Sequence, residues 1–233
     1  MKPQSEKIIV EEQAGFRAGT SITQQIFYLR ILFEKYLQHQ QDLYNVFMDF
    51  EKPFDWVLNA ALWATMKKDN LCADLIRVNK NLFKKAASAV LFNSSTEDWF
   101  RTTVGVRQGC LLSPTLFNMF LERIMTDALE DHEGTVSVGG RTIIYVRFAD
   151  DIDGLAGEEK EQANLIKRLD KVFTAYAMEI NAEKTKLMTN YTSGINTEIK
   201  VNGQKLETVT SFKYLGSVIT VEGSKPDLLS RMA

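Results

Sequence analysis

The chain has 233 residues, 45% of them hydrophobic, enough to build one large domain or two closely packed ones around a core. Its 28 Lys and Arg face 30 Asp and Glu, so the net charge of −2 excludes a globally basic polyanion binder, and any basic nucleic-acid surface must be local. Cys72 and Cys110 show neither zinc-ligand spacing nor a disulfide framework, no apolar run approaches membrane length, and Met1 to Glu6 does not begin a secretory signal. A soluble intracellular protein of the cytoplasm or nucleus, with no membrane partner, is expected.

The chain opens with a loop-like stretch, Glu12-Gln13-Ala14-Gly15-Phe16-Arg17. From Ile22, the apolar residues Ile26, Leu29, Phe33 and Tyr36 return at helical spacing, with Thr20 or Ser21 as N-cap. Leu43 to Phe50 reads as a buried strand that delivers Asp49 at its end, followed by Pro53-Phe54-Asp55. Asn59 to Lys68 and Ala73 to Ala87 read as helices, the second ending in a basic cluster, Lys80, Lys84 and Lys85, that is either a solvated face or a phosphate contact. Ser88 to Phe92 and Trp99 to Val104 suggest two strands around a turn at Asn93-Ser94-Ser95.

After Val106-Arg107-Gln108-Gly109-Cys110, Ser113-Pro114 reads as an N-cap with proline at the first helical position. The helix that follows buries Leu116, Phe117, Phe120, Leu121 and Ile124. Val136 to Val138 and Thr142 to Phe148 flank the hairpin signal Gly139-Gly140. A second hairpin then carries Asp150 and Asp151 at its tip. A long amphipathic helix, with Leu165, Leu169, Val172, Phe173 and Tyr176 on one face, precedes Asn181-Ala182-Glu183-Lys184-Thr185-Lys186 and a strand. Asn202-Gly203 marks another hairpin, and Phe212 to Gly216 a last strand. Strands joined partly by helices and partly by tight turns give an α+β fold: a mixed, largely antiparallel sheet with helices on one side.

Two carboxylates at the ends of strands distant in sequence, Asp49 and Asp150, suit magnesium, which prefers carboxylate and water oxygens and shares its remaining positions with substrate phosphates. Two such ions, roughly 3.5–4 Å apart, clamp an in-line displacement at phosphorus, so the chemistry is nucleotidyl transfer or phosphodiester hydrolysis. Asp151 contributes less directly, because successive residues on a strand point to opposite faces. Phe54 stands either where a sugar has to fit or as a core aromatic.

Six stretches, in order and over nearly the whole chain, carry a resemblance. They are Glu12 to Arg17, Met48-Asp49-Phe50-Glu51-Lys52-Pro53-Phe54-Asp55, Val106 to Pro114, Phe148-Ala149-Asp150-Asp151, Asn181 with Lys184-Thr185, and Tyr214-Leu215-Gly216. The chain resembles the reverse transcriptase of non-long-terminal-repeat (LINE-like) retrotransposons, close to the endonuclease–reverse transcriptase proteins of the RTE type. The resemblance implies the fingers and palm of a right-handed polymerase, with residues 1–42 as partial fingers and 43–233 as palm carrying fingers elements at about 60–105. Thumb, endonuclease and the preceding fingers segment are expected to be missing, as in a fragment truncated at both ends.

The resemblance further implies an RNA-directed DNA polymerase that uses two Mg²⁺ ions, or Mn²⁺, to join dNTPs to a DNA primer on an RNA template. Asp49, Asp150 and Asp151 are then metal ligands, with Lys184 near the pyrophosphate leaving group. Phe54 is implied as the steric gate against a ribose 2′-hydroxyl, beside Phe50 in the substrate pocket, while Gln108 and Gly109 line the nascent pair. Arg17 and Arg107 are implied as nucleic-acid contacts, and Tyr214, Leu215 and Gly216 as the primer grip. Two departures bear on this: Pro53 replaces the small residue usual before the gate, so Phe54 is at risk of displacement, and Trp56 replaces a usual basic residue. The alternative is a non-catalytic palm remnant that at most binds nucleic acid. A two-metal nuclease would leave the Gln-Gly turn, the aromatic gate and the primer grip without a use.

Overall fold

A computed structural model describes residues 2–84, 86–93, 95–96, 98–190 and 198–221. The expected roles of Lys85 in the basic cluster and Ser94 in the turn, and the chain end at Met232-Ala233, lie outside the described residues.

After a single helical turn, α1 (Lys2–Ser5), the loop leads to α2 (Ile22–Gln38). Ser21 caps α2 through a capping box: the Gln24 amide donates to Ser21 Oγ at 3.2 Å, and the Ser21 amide donates to Gln24 Oε1 at 2.9 Å. Strand β1 (Tyr44–Met48) is buried throughout and releases the chain into α3 (Asn59–Lys68) and α4 (Ala73–Lys84). Short paired strands follow, Ala87–Ser88 with Phe100–Arg101 and Leu91–Phe92 with Ser95–Thr96. Helix α5 (Ser113–Leu129) starts one residue earlier than expected: Leu112 is the N-cap, and Ser113 is already helical.

Beyond a two-residue hairpin pair, β2 (Tyr145–Phe148) and β3 (Asp151–Ala156) form the acidic hairpin, followed by α6 (Glu159–Ala175) and β4 (Lys186–Thr189). The chain then adds β5 (Glu207–Thr208) and the β6 (Ser211–Tyr214)–β7 (Ser217–Thr220) hairpin.

Five strands make the main sheet in the order β5-β4-β1-β3-β2, antiparallel except for the β4–β5 pair. Strand β1 is thus central although it comes first in the chain. Its alternation decides which layers form, because successive side chains of a strand leave by opposite faces. Val46 and Met48, with Ile152 and Leu187, join a core made with Leu62, Leu116, Phe120, Leu169 and Phe173 from α3, α5 and α6. Phe47, with Val146, Leu155 and Met188, joins a second core made with Leu29, Leu32 and Phe33 of α2 and with Tyr214 and Ile219 of the β6–β7 hairpin. Helices therefore lie on both faces of the sheet, not on one. The second face is covered because α2 presents a continuous apolar stripe and Phe212 stacks on Phe47, their ring centroids 4.5 Å apart.

Candidate active site

The register brings the acids to one end of the sheet. Met48 pairs with Ile152, so Asp49, the residue after β1, stands beside the start of β3, where Asp151 faces Phe148 across a two-residue turn formed by Ala149 and Asp150. Asp49 is held through its backbone: its amide donates to Thr185 Oγ1 at 3.2 Å, and its carbonyl accepts the Asn181 amide at 2.9 Å. Its Oδ1 is shielded from water and accepts no hydrogen bond, and the Lys184 ammonium lies 3.7 Å away. Lys184 is set there by Asn181, whose side-chain carbonyl accepts the amides of Glu183 and Lys184 at 3.1 and 3.0 Å. Sequence reasoning matched Asn181 without giving it a role, and this local turn is that role.

Burial, reinforced by the Asp49 charge, raises the Asp150 carboxyl above the usual range. Burial first, then the charges of Asp150 and Asp49, push Asp151 up to about 6. Carboxylates that repel one another at a partly desolvated point are suited to a cation, which would relieve both penalties. Among the described residues, no group of three or more His, Cys, Asp or Glu stands close enough to hold a metal ion by itself. Protein oxygens here would thus supply only part of a coordination shell, as is usual where substrate phosphates and water complete it. A further acid, Asp153, is wholly buried on the same face of β3 as Asp151, and burial drives its carboxyl well above the usual range. In the sequence Asp153 stands two residues after Asp151, with no sign of its burial.

Pro53 sits in a tight turn just before Phe54. The Asp55 amide donates to the Lys52 carbonyl at 2.9 Å, which puts Pro53 at the second position of a turn, where its fixed φ fits and no amide hydrogen is needed. The Phe54 ring lies flat on Phe117, with centroids 4.3 Å apart and planes 13° apart, and Phe16 meets it edge-on at 6.4 Å. The Val106 amide donates to the Phe54 carbonyl at 2.8 Å, tying Phe54 to the Arg107-Gln108-Gly109 loop. Arg107, Gln108 and Gly109 are all exposed, and a groove of about 640 Å³ runs past Arg107 and Gln108 towards Asp55 and Asn59.

Other expected site residues are placed elsewhere. Phe50 is 6% exposed and packs in the core on Phe173, with ring centroids 4.6 Å apart. Arg17 is spent on folding the N-terminal loop: Nε donates to Glu6 at 3.0 Å, and NH1 donates to the carbonyls of Val10 and Gln13 at 2.6 and 3.0 Å. Tyr214 is buried against Phe47, and its hydroxyl donates to the Asp151 carbonyl at 3.4 Å, so it supports β3 from beneath. Leu215 and Gly216, both at positive φ, make the tight turn of the β6–β7 hairpin.

Sequence reasoning also missed a buried polar cluster behind the acidic turn. Arg147 of β2, fully buried, pairs with Glu122 of α5 at 2.5 Å. Gln13 and Asn118, each at most 1% exposed, hydrogen-bond to each other at 3.0 Å. The signal was there in α5, where Asn118 falls inside the apolar run Leu116 to Leu121 and Glu122 directly follows it.

A central, largely antiparallel sheet that presents acids following β1 and in the β2–β3 hairpin at one end has the form of a polymerase palm. Structures of telomerase share this fold. That of Candida tropicalis telomerase truncated from its C-terminal domain superposes with a TM-score of 0.66 at 16% identity, covering 94% of this chain and 42% of that one. That of Candida albicans telomerase with a telomeric RNA fragment gives 0.63 at 12% identity, covering 94% and 35%.

Residues 1–219 match the family of reverse transcriptases (RNA-dependent DNA polymerases), and the chain belongs to that family. Among curated relatives, the retrovirus-related Pol polyprotein from type-1 retrotransposable element R2 of Nasonia vitripennis is 23% identical over 222 residues, 91% of this chain and 22% of the relative. The corresponding protein of Popillia japonica is 25% identical over 210 residues, 84% of this chain and 35% of the relative. The chain therefore spans about a third or less of the length of these relatives. They support the non-long-terminal-repeat class, whereas the finer RTE-type affinity is not carried by them.

Proposed function

We propose that the chain is the fingers–palm part of an RNA-directed DNA polymerase that joins dNTPs to a DNA primer on an RNA template. The observation that carries this is the convergence of Asp49 with the Asp150-Asp151 turn, in a chain of this family. In this reading residues 1–42 are partial fingers and residues 43–233 the palm, with fingers elements at about 60–105.

Reverse transcriptases are generally dependent on a divalent metal. Asp49 and Asp150 are the residues that would hold Mg²⁺, with Asp151 alongside. The bound ions would lower the pKa of the primer hydroxyl and offset charge on the leaving group. The protein's own contributions are legible without them. Lys184, set by Asn181 next to Asp49, brings a positive charge to the side where pyrophosphate leaves. The Phe54 face, locked by Phe117 and Phe16, excludes a 2′-hydroxyl. Exposed Gln108, Arg107 and open Gly109 admit the nascent pair along the groove.

The test is Mg²⁺-dependent extension of a DNA primer on an RNA template, with Asp150→Ala as control. Extension abolished by the substitution is expected. Soluble, folded protein that binds the duplex without extending it would sink the polymerase reading and favour a nucleic-acid-binding palm.

A further inference from the structure

The turn that carries Asp150 is shaped by Ala149, whose φ is +59°, a left-handed conformation that residues with a Cβ rarely adopt. Something must hold it there. Gln13, fully buried and distant in sequence, does so: its Oε1 accepts the Ala149 amide at 3.0 Å and the Gly15 amide at 2.6 Å. Asn118 of α5 orients Gln13, accepting from its Nε2 at 3.0 Å while donating to the Gly15 carbonyl at 2.9 Å. The neighbouring backbones are laced as well, with the Ala14 amide donating to the Arg147 carbonyl at 2.9 Å and the Arg147 amide to the Glu12 carbonyl at 3.0 Å. Gly15 is obligatory in this arrangement, because a Cβ there would sit 2.3 Å from the Ala149 nitrogen.

We infer that Gln13, oriented by Asn118, is a positioning residue for the metal-binding turn: it holds Ala149 left-handed and thereby fixes Asp150 opposite Asp49. This rests on the reading of Asp49 and Asp150 as cation ligands. Outer partners of metal ligands act in this way, by fixing a ligand's orientation without touching the ion.

The experiment is Mn²⁺ binding by electron paramagnetic resonance on the full chain, with thermal melts to verify folding. Wild type binds, and Asp150→Asn abolishes most of that binding. Gln13→Met keeps the volume but removes the acceptor, and is expected to weaken Mn²⁺ about 10- to 100-fold. Adding Ala149→Gly, which takes a left-handed φ at no steric cost, should restore most of the loss. A purely structural role for Gln13 would show no such rescue. Unchanged Mn²⁺ affinity in Gln13→Met, or no restoration by Ala149→Gly, overturns the inference while leaving the metal site standing. If wild type and Asp150→Asn bind Mn²⁺ equally poorly, the metal reading itself fails and the inference with it. Should Gln13→Met lose its melting transition, Asn118→Ala is read in the same way: weakened Mn²⁺ binding in a folded protein supports the inference, and undiminished binding overturns it.

Discussion

Asp151 carries its environment as a measurable pH dependence. Its carboxyl is pushed up to about 6 from an ordinary 3.8, chiefly by burial. Because the folded value is the higher one, the protonated form is favoured in the folded state, and the group's contribution to stability is complete below about pH 4 and lost as pH rises through about 6. In metal-free protein, Asp151→Asn should therefore melt higher than wild type at pH 7.5, with the advantage fading towards pH 4. Saturating Mg²⁺ should remove or reverse it. A melting difference that is flat with pH, followed by differential scanning fluorimetry, would contradict this. At this scale the sequence was legible for identity and not for burial. Asp150 and Asp151 sit at the hairpin turn and Lys184 lies 3.7 Å from Asp49, whereas Phe50 and Tyr214 are buried and Arg17 is engaged with Glu6, Val10 and Gln13. What decides such cases is which partner arrives from elsewhere in the chain, Phe173 for Phe50 and Phe47 for Tyr214, and a linear motif contains no trace of that.

Elements declare themselves in sequence when their signals are local. The N-cap of α2, read as Thr20 or Ser21, the period of α2 and the Gly139-Gly140 hairpin are of this kind: Ser21 is the cap, and the helix and hairpin are present. The tie between β2 and α5 is not local, since Arg147 and Glu122 meet only after both elements dock. Both charges are withdrawn from water, so removing one strands the other. Glu122→Ala should cost about 3–5 kcal/mol in urea denaturation, whereas replacing the pair together, Glu122→Leu with Arg147→Met, should cost much less. Equal losses in the two variants would show that packing, not the uncompensated charge, sets the penalty. The cover on the second face of the sheet was misjudged for a related reason. The stripe of α2 showed that the helix had an apolar face, but not which face of which sheet would receive it.

On the scale of the whole molecule, the sheet is built out of sequence order. Strand β1 lies between β3 and β4, pairing Val46 with Gly154 on one side and Leu187 on the other. Contacts across such separations form late, because the intervening chain must be gathered before any pairing rewards it. Pulse-labelled hydrogen exchange during refolding should show the amides of β1, β3 and β4 gaining protection in one slow phase, after those of α2. Protection of β1 ahead of β3 would refute this. During synthesis the consequence is directional. The ribosome makes the strand that ends in Asp49 long before either of its neighbours exists. Until residue 189 has left the exit tunnel, an apolar, five-residue ribbon is left with an unsatisfied edge that another nascent chain can pair with instead. Any premature stop between β1 and β4 therefore turns the cradle of the active site into a nucleus for aggregation.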